Sequence, residues 1–133
     1  MEVRVVLSSD EIVRGLKIYK GIAKQDVENA EELASQREFN DPDIIRQHAE
    51  ARRLIYARLT EIAETQSPSA VVNEALECYK ELPFVSGTAE GEHVDIKGQE
   101  NALENFFLMI GLEPKIRREV RSQRPKLSQN GSL

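Results

Sequence analysis

The chain has 133 residues, 40% apolar and 31% charged, with a net charge of −5. That is the make-up of one folded domain, and it excludes collagen, a mucin and a wholly disordered protein. No apolar run approaches the ~20 residues of a membrane span, the lone cysteine Cys78 has no internal partner, and Met1 to Asp10 lacks the apolar core of a secretory signal. The expected location is therefore the cytoplasm.

Residues 2–7, Glu-Val-Arg-Val-Val-Leu, are β-branched and partly alternating, which predicts a short strand. Ser8 and Glu11 form a capping-box pattern that opens a helix over about Asp10 to Gln25. Ile12, Leu16, Tyr19 and Ile22 are its expected apolar face, and Arg14, Lys17, Lys20 and Lys24 a basic stripe. Residues 26–39 are acidic and read as a helix with a thin stripe of Val27, Ala30, Leu33 and Ala34. The basic stripe is expected to neutralise this acidic helix from within. Asn40-Asp41-Pro42 is a strong start signal. The helix it opens reaches about Glu64, with Ile44, His48, Ala51, Ile55, Leu59 and Ile62 on one face. This long helix is the expected spine, and Arg46, Arg52, Arg53 and Arg58 its solvated face or an oligomer contact.

Ser67-Pro68 opens the next helix, which is apolar over a wide arc and stops before Pro83. Residues 85–98, with Gly87, Gly91 and Gly98, read as a loop. Within that loop His93-Val94-Asp95-Ile96 alternates, so that residues 92–97 pair with residues 2–7 in a two-stranded ribbon. The last strong helix runs from Gln99 to Ile110, with Leu103, Phe106, Phe107 and Ile110 on its face and Gly111 as its stop. Pro114 opens a short final helix. The fold class is mainly α, a small helical bundle around a long central helix. Its organisation is an acidic helical domain, residues 1–113, and a basic C-terminal helix with a polar tail, residues 114–133.

Sites of chemistry are sparse. Zinc needs close-spaced nitrogen and sulfur ligands, and His48, Cys78 and His93 stand far apart. Glu90, Glu92, His93 and Asp95 are rich in ligand oxygen but lack the spacing of a calcium loop. No glycine-rich phosphate loop or nucleophile elbow is present. Cys78 and His48 fall on apolar helix faces and read as core residues. The expectation is a non-enzymatic protein with no metal, no cofactor and no small-molecule substrate.

The charge is unevenly placed. Lys115, Arg117, Arg118, Arg121, Arg124 and Lys126 face only Glu119 within their segment, so a basic end is joined to a strongly acidic body. Such an end suits phosphates or an acidic partner. A helix-turn-helix does not fit, because Phe107 stands where the turn wants a small residue. Any nucleic-acid contact is thus expected to be electrostatic, through these six cations.

Ile110-Gly111-Leu112-Glu113-Pro114-Lys115-Ile116-Arg117 resembles the G-L-x-P-x-x-R segment that follows the last long helix in P27-like phage terminase small subunits. Gly111, Leu112, Pro114 and Arg117 carry the match. The resemblance implies a small helical DNA-recognition subunit that assembles as a homo-oligomer and works beside a packaging ATPase subunit. The chain departs from that pattern at its start, which is strand-like rather than basic. The alternative is a protein-interaction or regulatory module with no nucleic-acid role.

Overall fold

The structure is a computed structural model and describes residues 3–36, 41–85 and 93–127. Six helices and one short strand pair are present among them. None of the described helices is long and apolar enough to cross a membrane.

Helix α1, Ser9–Glu28, opens on the capping box. The Glu11 amide donates to Ser8 Oγ at 3.2 Å, and the Ser8 amide donates to Glu11 Oε1 at 3.0 Å. These bonds satisfy two amides that the helix itself cannot. The Ser8 amide, donating to it, is the main reason the Glu11 carboxyl titrates below its ordinary value. Ile12, Leu16 and Ala23 are buried, while Ile22 is 46% exposed and Ile18 61% exposed. The expected place of Ile22 on the buried face is corrected: about three helical turns bring Ala23, not Ile22, back over Ile12.

The acidic segment is not a single helix. Residues 26–28 continue α1, the chain turns at Asn29, and α2 occupies only Ala30–Gln36. Ala30 and Ala34 pack with Ile45 and Leu33 in a small satellite cluster. Residues 37–40 lie outside the described residues.

Helix α3, Pro42–Thr65, is 24 residues long, or about 36 Å at ~1.5 Å per residue. Asp41 caps it, its Oδ1 accepting from the Asp43 amide at 2.9 Å. Its main neighbours are α1 on one side and α5, Val94–Ile110, on the other. Helix α4, Pro68–Glu81, is capped by Ser67 and also packs on α3. One core joins these helices through Leu16, Tyr56, Leu59, Val72, Tyr79, Leu103, Phe106 and Phe107.

The predicted ribbon is corrected. Residues 3–7 form no strand, and Val94 to Lys97 are the first turn of α5. The alternation in 3–7 is real as packing: Val3, Val5 and Leu7 lean on the core while Arg4 and Val6 face solvent. Two strands do pair, but elsewhere: β1, Phe84–Val85, runs parallel to β2, Lys126–Leu127, with Phe84 opposite Lys126.

Helix α5 begins several residues before the predicted Gln99 because Gly98 is a crossing point and not a break. A Cβ on Gly98 would lie 2.6 Å from the His48 carbonyl oxygen, so α3 and α5 approach backbone to backbone there. The helix ends as expected at Gly111, whose φ of 72° is left-handed. The Leu112 amide reaches back to the Phe107 carbonyl at 2.9 Å, the Schellman closure that glycine permits. Pro114 then opens α6, Pro114–Ser122, and its Val120 enters the same core.

Candidate nucleic-acid interface

The basic end folds back onto α4 and α5, and Arg124 holds it there. Arg124 Nε donates to the Leu82 carbonyl at 2.8 Å and Nη2 to the Pro83 carbonyl at 3.0 Å. These carbonyls lie just past the end of α4, where backbone acceptors lack helical partners. Arg124 Nη1 lies 2.8 Å from Glu100 Oε2, as an ion contact outside hydrogen-bonding geometry. The guanidinium carbon sits 4.9 Å from the Tyr79 ring centre and 5.4 Å from that of Phe84. The planar, weakly hydrated guanidinium suits such a place between rings, carbonyls and one carboxylate.

Arg124 was expected among the phosphate-binding cations; its side chain is instead wholly buried and committed inside the fold. It is the anchor of the basic segment and not part of its outer face. Beside it the Tyr79 hydroxyl donates to Glu104 Oε2 at 2.8 Å. Burial, reinforced by that carboxylate, pushes the Tyr79 hydroxyl up to about 12.

The other five cations lie differently. Lys115, Arg118, Arg121 and Lys126 are exposed and Arg117 is half-buried. None of the five makes an ion pair among the described residues. The Arg121 guanidinium carbon is 4.9 Å from the Phe84 ring centre. Arg118, Arg121, Ser122 and Lys126 line a cleft of about 380 Å3, with Phe84 and Arg124 in its wall. Among the described residues no carboxylate lines it. Lys115 and Arg117 lie on α6 outside this cleft.

The remaining candidates fall into structural roles. Arg46, Arg52, Arg53 and Arg58 pair with Asp43, Asp26, Glu50 and Glu74 respectively. Among the described residues the α1 stripe makes no ion pair with the acidic segment: Lys17 approaches Glu64 of α3 at 3.9 Å, and Asp26 is held by Arg52 at 2.8 Å. His48 accepts at Nδ1 from Arg52 Nε at 3.2 Å. Cys78 is half-buried, 3.5 Å from Glu74 Oε1, and burial raises its thiol above the ordinary value, which disfavours the reactive thiolate. No cluster of three metal-ligating side chains exists among the described residues. His93 is the left-handed residue before α5, with φ 57°. Glu90 and Glu92 lie outside the described residues.

A larger groove of about 810 Å3 lies along α3 and the start of α5, floored by Ala51, Leu54 and Ile55. Its rim cations Arg46 and Arg58 already hold carboxylates. It offers an apolar surface and no free charge cluster.

Compared with known proteins, the chain matches no family model, no curated protein and no solved structure.

The part that Phe84, Tyr79, Glu100 and Glu104 play at this end is not visible in the sequence, where Tyr79 reads as core and the two glutamates as an exposed face. Phe84 directly follows the helix-ending Pro83, and an aromatic in that place was the one available signal. The carboxylates sit one turn apart on α5 and look like an ordinary exposed face until Arg124 meets Glu100 and the Tyr79 hydroxyl meets Glu104.

Proposed function

We propose that this protein is a non-enzymatic helical adaptor of the terminase small-subunit kind, which gathers in several copies and, unlike that family's basic start, contacts nucleic acid through its basic C-terminal segment. One observation carries the reading. Of six clustered cations, one is spent on anchoring the segment, and Arg118, Arg121 and Lys126 are left lining a cleft to which no described residue brings a carboxylate. Cations that served only solubility would not need a buried arginine to hold them in place.

Phosphate contacts made this way release counterions, so affinity falls with salt. Lys115, Arg117, Arg118, Arg121 and Lys126 together predict a slope of log affinity against log salt of about −4 to −5 on duplex DNA. The acidic body repels the same polymer, so one copy binds poorly and several basic ends acting together bind well. Exposed apolar side chains at Ile18, Ile22, Leu54 and Leu108 supply surface for such assembly.

The test is a salt titration of the wild type and an Arg117→Gln, Arg118→Gln, Arg121→Gln triple variant on one oligonucleotide. The expected result is weaker binding on every sequence and a slope flatter by about three. Undetectable binding at about 50 mM salt, or equal slopes for both proteins, overturns the reading in favour of a protein-interaction module.

A further inference from the structure

We propose that the cleft beside Phe84 takes one nucleotide of an unpaired strand, its base stacked on the Arg121–Phe84 platform and its phosphate held between Arg118 and Lys126. This inference rests on the nucleic-acid reading above and sharpens it from phosphate contact to strand type.

Three features of the cleft point the same way. It is concave. The recess is open to solvent, so it can admit both base and phosphate of an unpaired strand, whereas a duplex keeps its bases stacked inside and offers it phosphate alone. At about 380 Å3 the hollow lies at the small end of the ~300–1,000 Å3 range of ligand pockets, a size suited to one nucleotide.

It also carries a stacking platform as well as charge. The Arg121 guanidinium lies 4.9 Å from the Phe84 ring centre, and both residues line the hollow. Aromatic rings and arginine planes are the two surfaces on which unpaired bases stack, and the stacking tolerates any base. Phe84 is further fixed by the Arg124 guanidinium at 5.4 Å and by its strand pairing with Lys126. That pairing sets Lys126 opposite Phe84 on the wall of the hollow, while the Ser122 hydroxyl there donates to the Glu119 carbonyl at 2.6 Å.

The third feature is the electrostatics of the rest of the chain. The net charge is −5 although the basic end is included, so an approaching polyanion is repelled by the body. A single strand has a lower charge density than a duplex and gains less from each neutralised phosphate. It also presents fewer charges to that body. Base stacking then supplies the affinity that the few cations cannot.

The experiment uses the full chain and labelled oligonucleotides of about 12 nucleotides, within the span of small single-strand sites. Fluorescence anisotropy compares a mixed-sequence single strand, the same strand made abasic, and the corresponding duplex, all at about 50 mM salt. The expected order is single strand tightest, with the abasic strand and the duplex each weaker by about tenfold, the worth of one stacked base. Phe84→Leu keeps an apolar side chain but removes the ring, and should bring the single strand down to the abasic value. If that variant fails to fold, the abasic comparison on wild-type protein still decides.

The two failures are distinguishable. Binding of none of the three probes overturns the nucleic-acid reading itself. Duplex or abasic strand bound as tightly as the mixed-sequence strand leaves that reading standing and overturns this inference. Displacement of the single strand by a phosphopeptide as effectively as by unlabelled strand also overturns it, because a bare phosphate site would then account for the cleft.

Discussion

The α-carbon of Gly98 and the backbone carbonyl of His48 approach so closely that a Cβ on the glycine would lie 2.6 Å from the carbonyl oxygen and 2.8 Å from Ala51 Cβ. The central helix and α5 therefore meet at a point where any side chain but hydrogen is excluded. Neither obstacle is the end of a flexible side chain, so relief requires the helices to move apart. Gly98→Ala should destabilise the fold by about 1–3 kcal/mol, the range for overpacking. Gly21 is the control. It lies in α1 with nothing within 4 Å of a built Cβ, so Gly21→Ala should stabilise by about 0.5–1 kcal/mol through helix propensity alone. Denaturant unfolding of the two variants checks both signs.

Phe106 and Phe107 are 0% and 2% exposed, and Phe107 meets the Tyr79 ring edge-on at 5.2 Å between centres. Neighbouring residues on a helix point about 100° apart, so both can be buried only where partners lie on two sides of α5. Truncating Phe106 to alanine should cost about 3–5 kcal/mol, read as a shift in the denaturant midpoint. Melting within a degree or two of the parent would show that this end of α5 is not packed as described.

Tyr79 links stability to alkaline pH. Its hydroxyl is raised to about 12 by burial and by Glu104, against an ordinary value near 10. The neutral form is thus the one the fold favours. That contribution is fully present below pH ~10 and is lost as pH rises through about 12. The melting temperature should fall across this window, and Tyr79→Phe should remove that part of the fall. Tyrosinate absorbance should show the highest titration step vanishing in the variant, while Tyr56, also raised by burial, still ionises late.

Arg124→Ala should be the most damaging change among the six basic residues. It leaves the Leu82 and Pro83 carbonyls without their donor and Glu100 without its cation. Breaking a buried pair by removing one partner costs about 3–5 kcal/mol, and the lower part of that range applies because Glu100 is 23% exposed. Lysine should not rescue, since it lacks the planar fork that serves two carbonyls and two rings at once. Arg118→Ala should leave the melting temperature unchanged. A melt of the three variants side by side separates anchor from surface.

Much of the helical frame could be read from the sequence because its boundaries are local chemistry. Ser8 with Glu11, Asp41-Pro42, Ser67-Pro68, Gly111 and Pro114 act within one turn of themselves, and each marks a helix end in the structure. The errors arise where a distant partner decides. Gly98 looks like a breaker until α3 is placed against it. The alternation of residues 3–7 looks like a strand until the core beneath supplies the periodicity. Arg124 is chemically the same as Arg121. What separates them is Glu100, Tyr79 and the end of α4, which no local pattern brings near. The basic cleft was half visible: its charges are contiguous in sequence, but the ring of Phe84 comes from far along the chain.

The closure of the basic segment onto α4 has a kinetic side. Arg124 lies 42 positions beyond the residue whose carbonyl it holds. Drawing together chain ends so separated costs on the order of 3 kcal/mol of loop entropy before any contact is made. The acceptor end of α4 and the Glu100 turn of α5 must both be in place to repay it. The segment should therefore dock after the body has formed and leave before the body opens. Substitutions at Arg124 would then hasten unfolding and leave the folding rate nearly untouched. On a ribosome, the acidic bundle would be complete before its cations took up their positions.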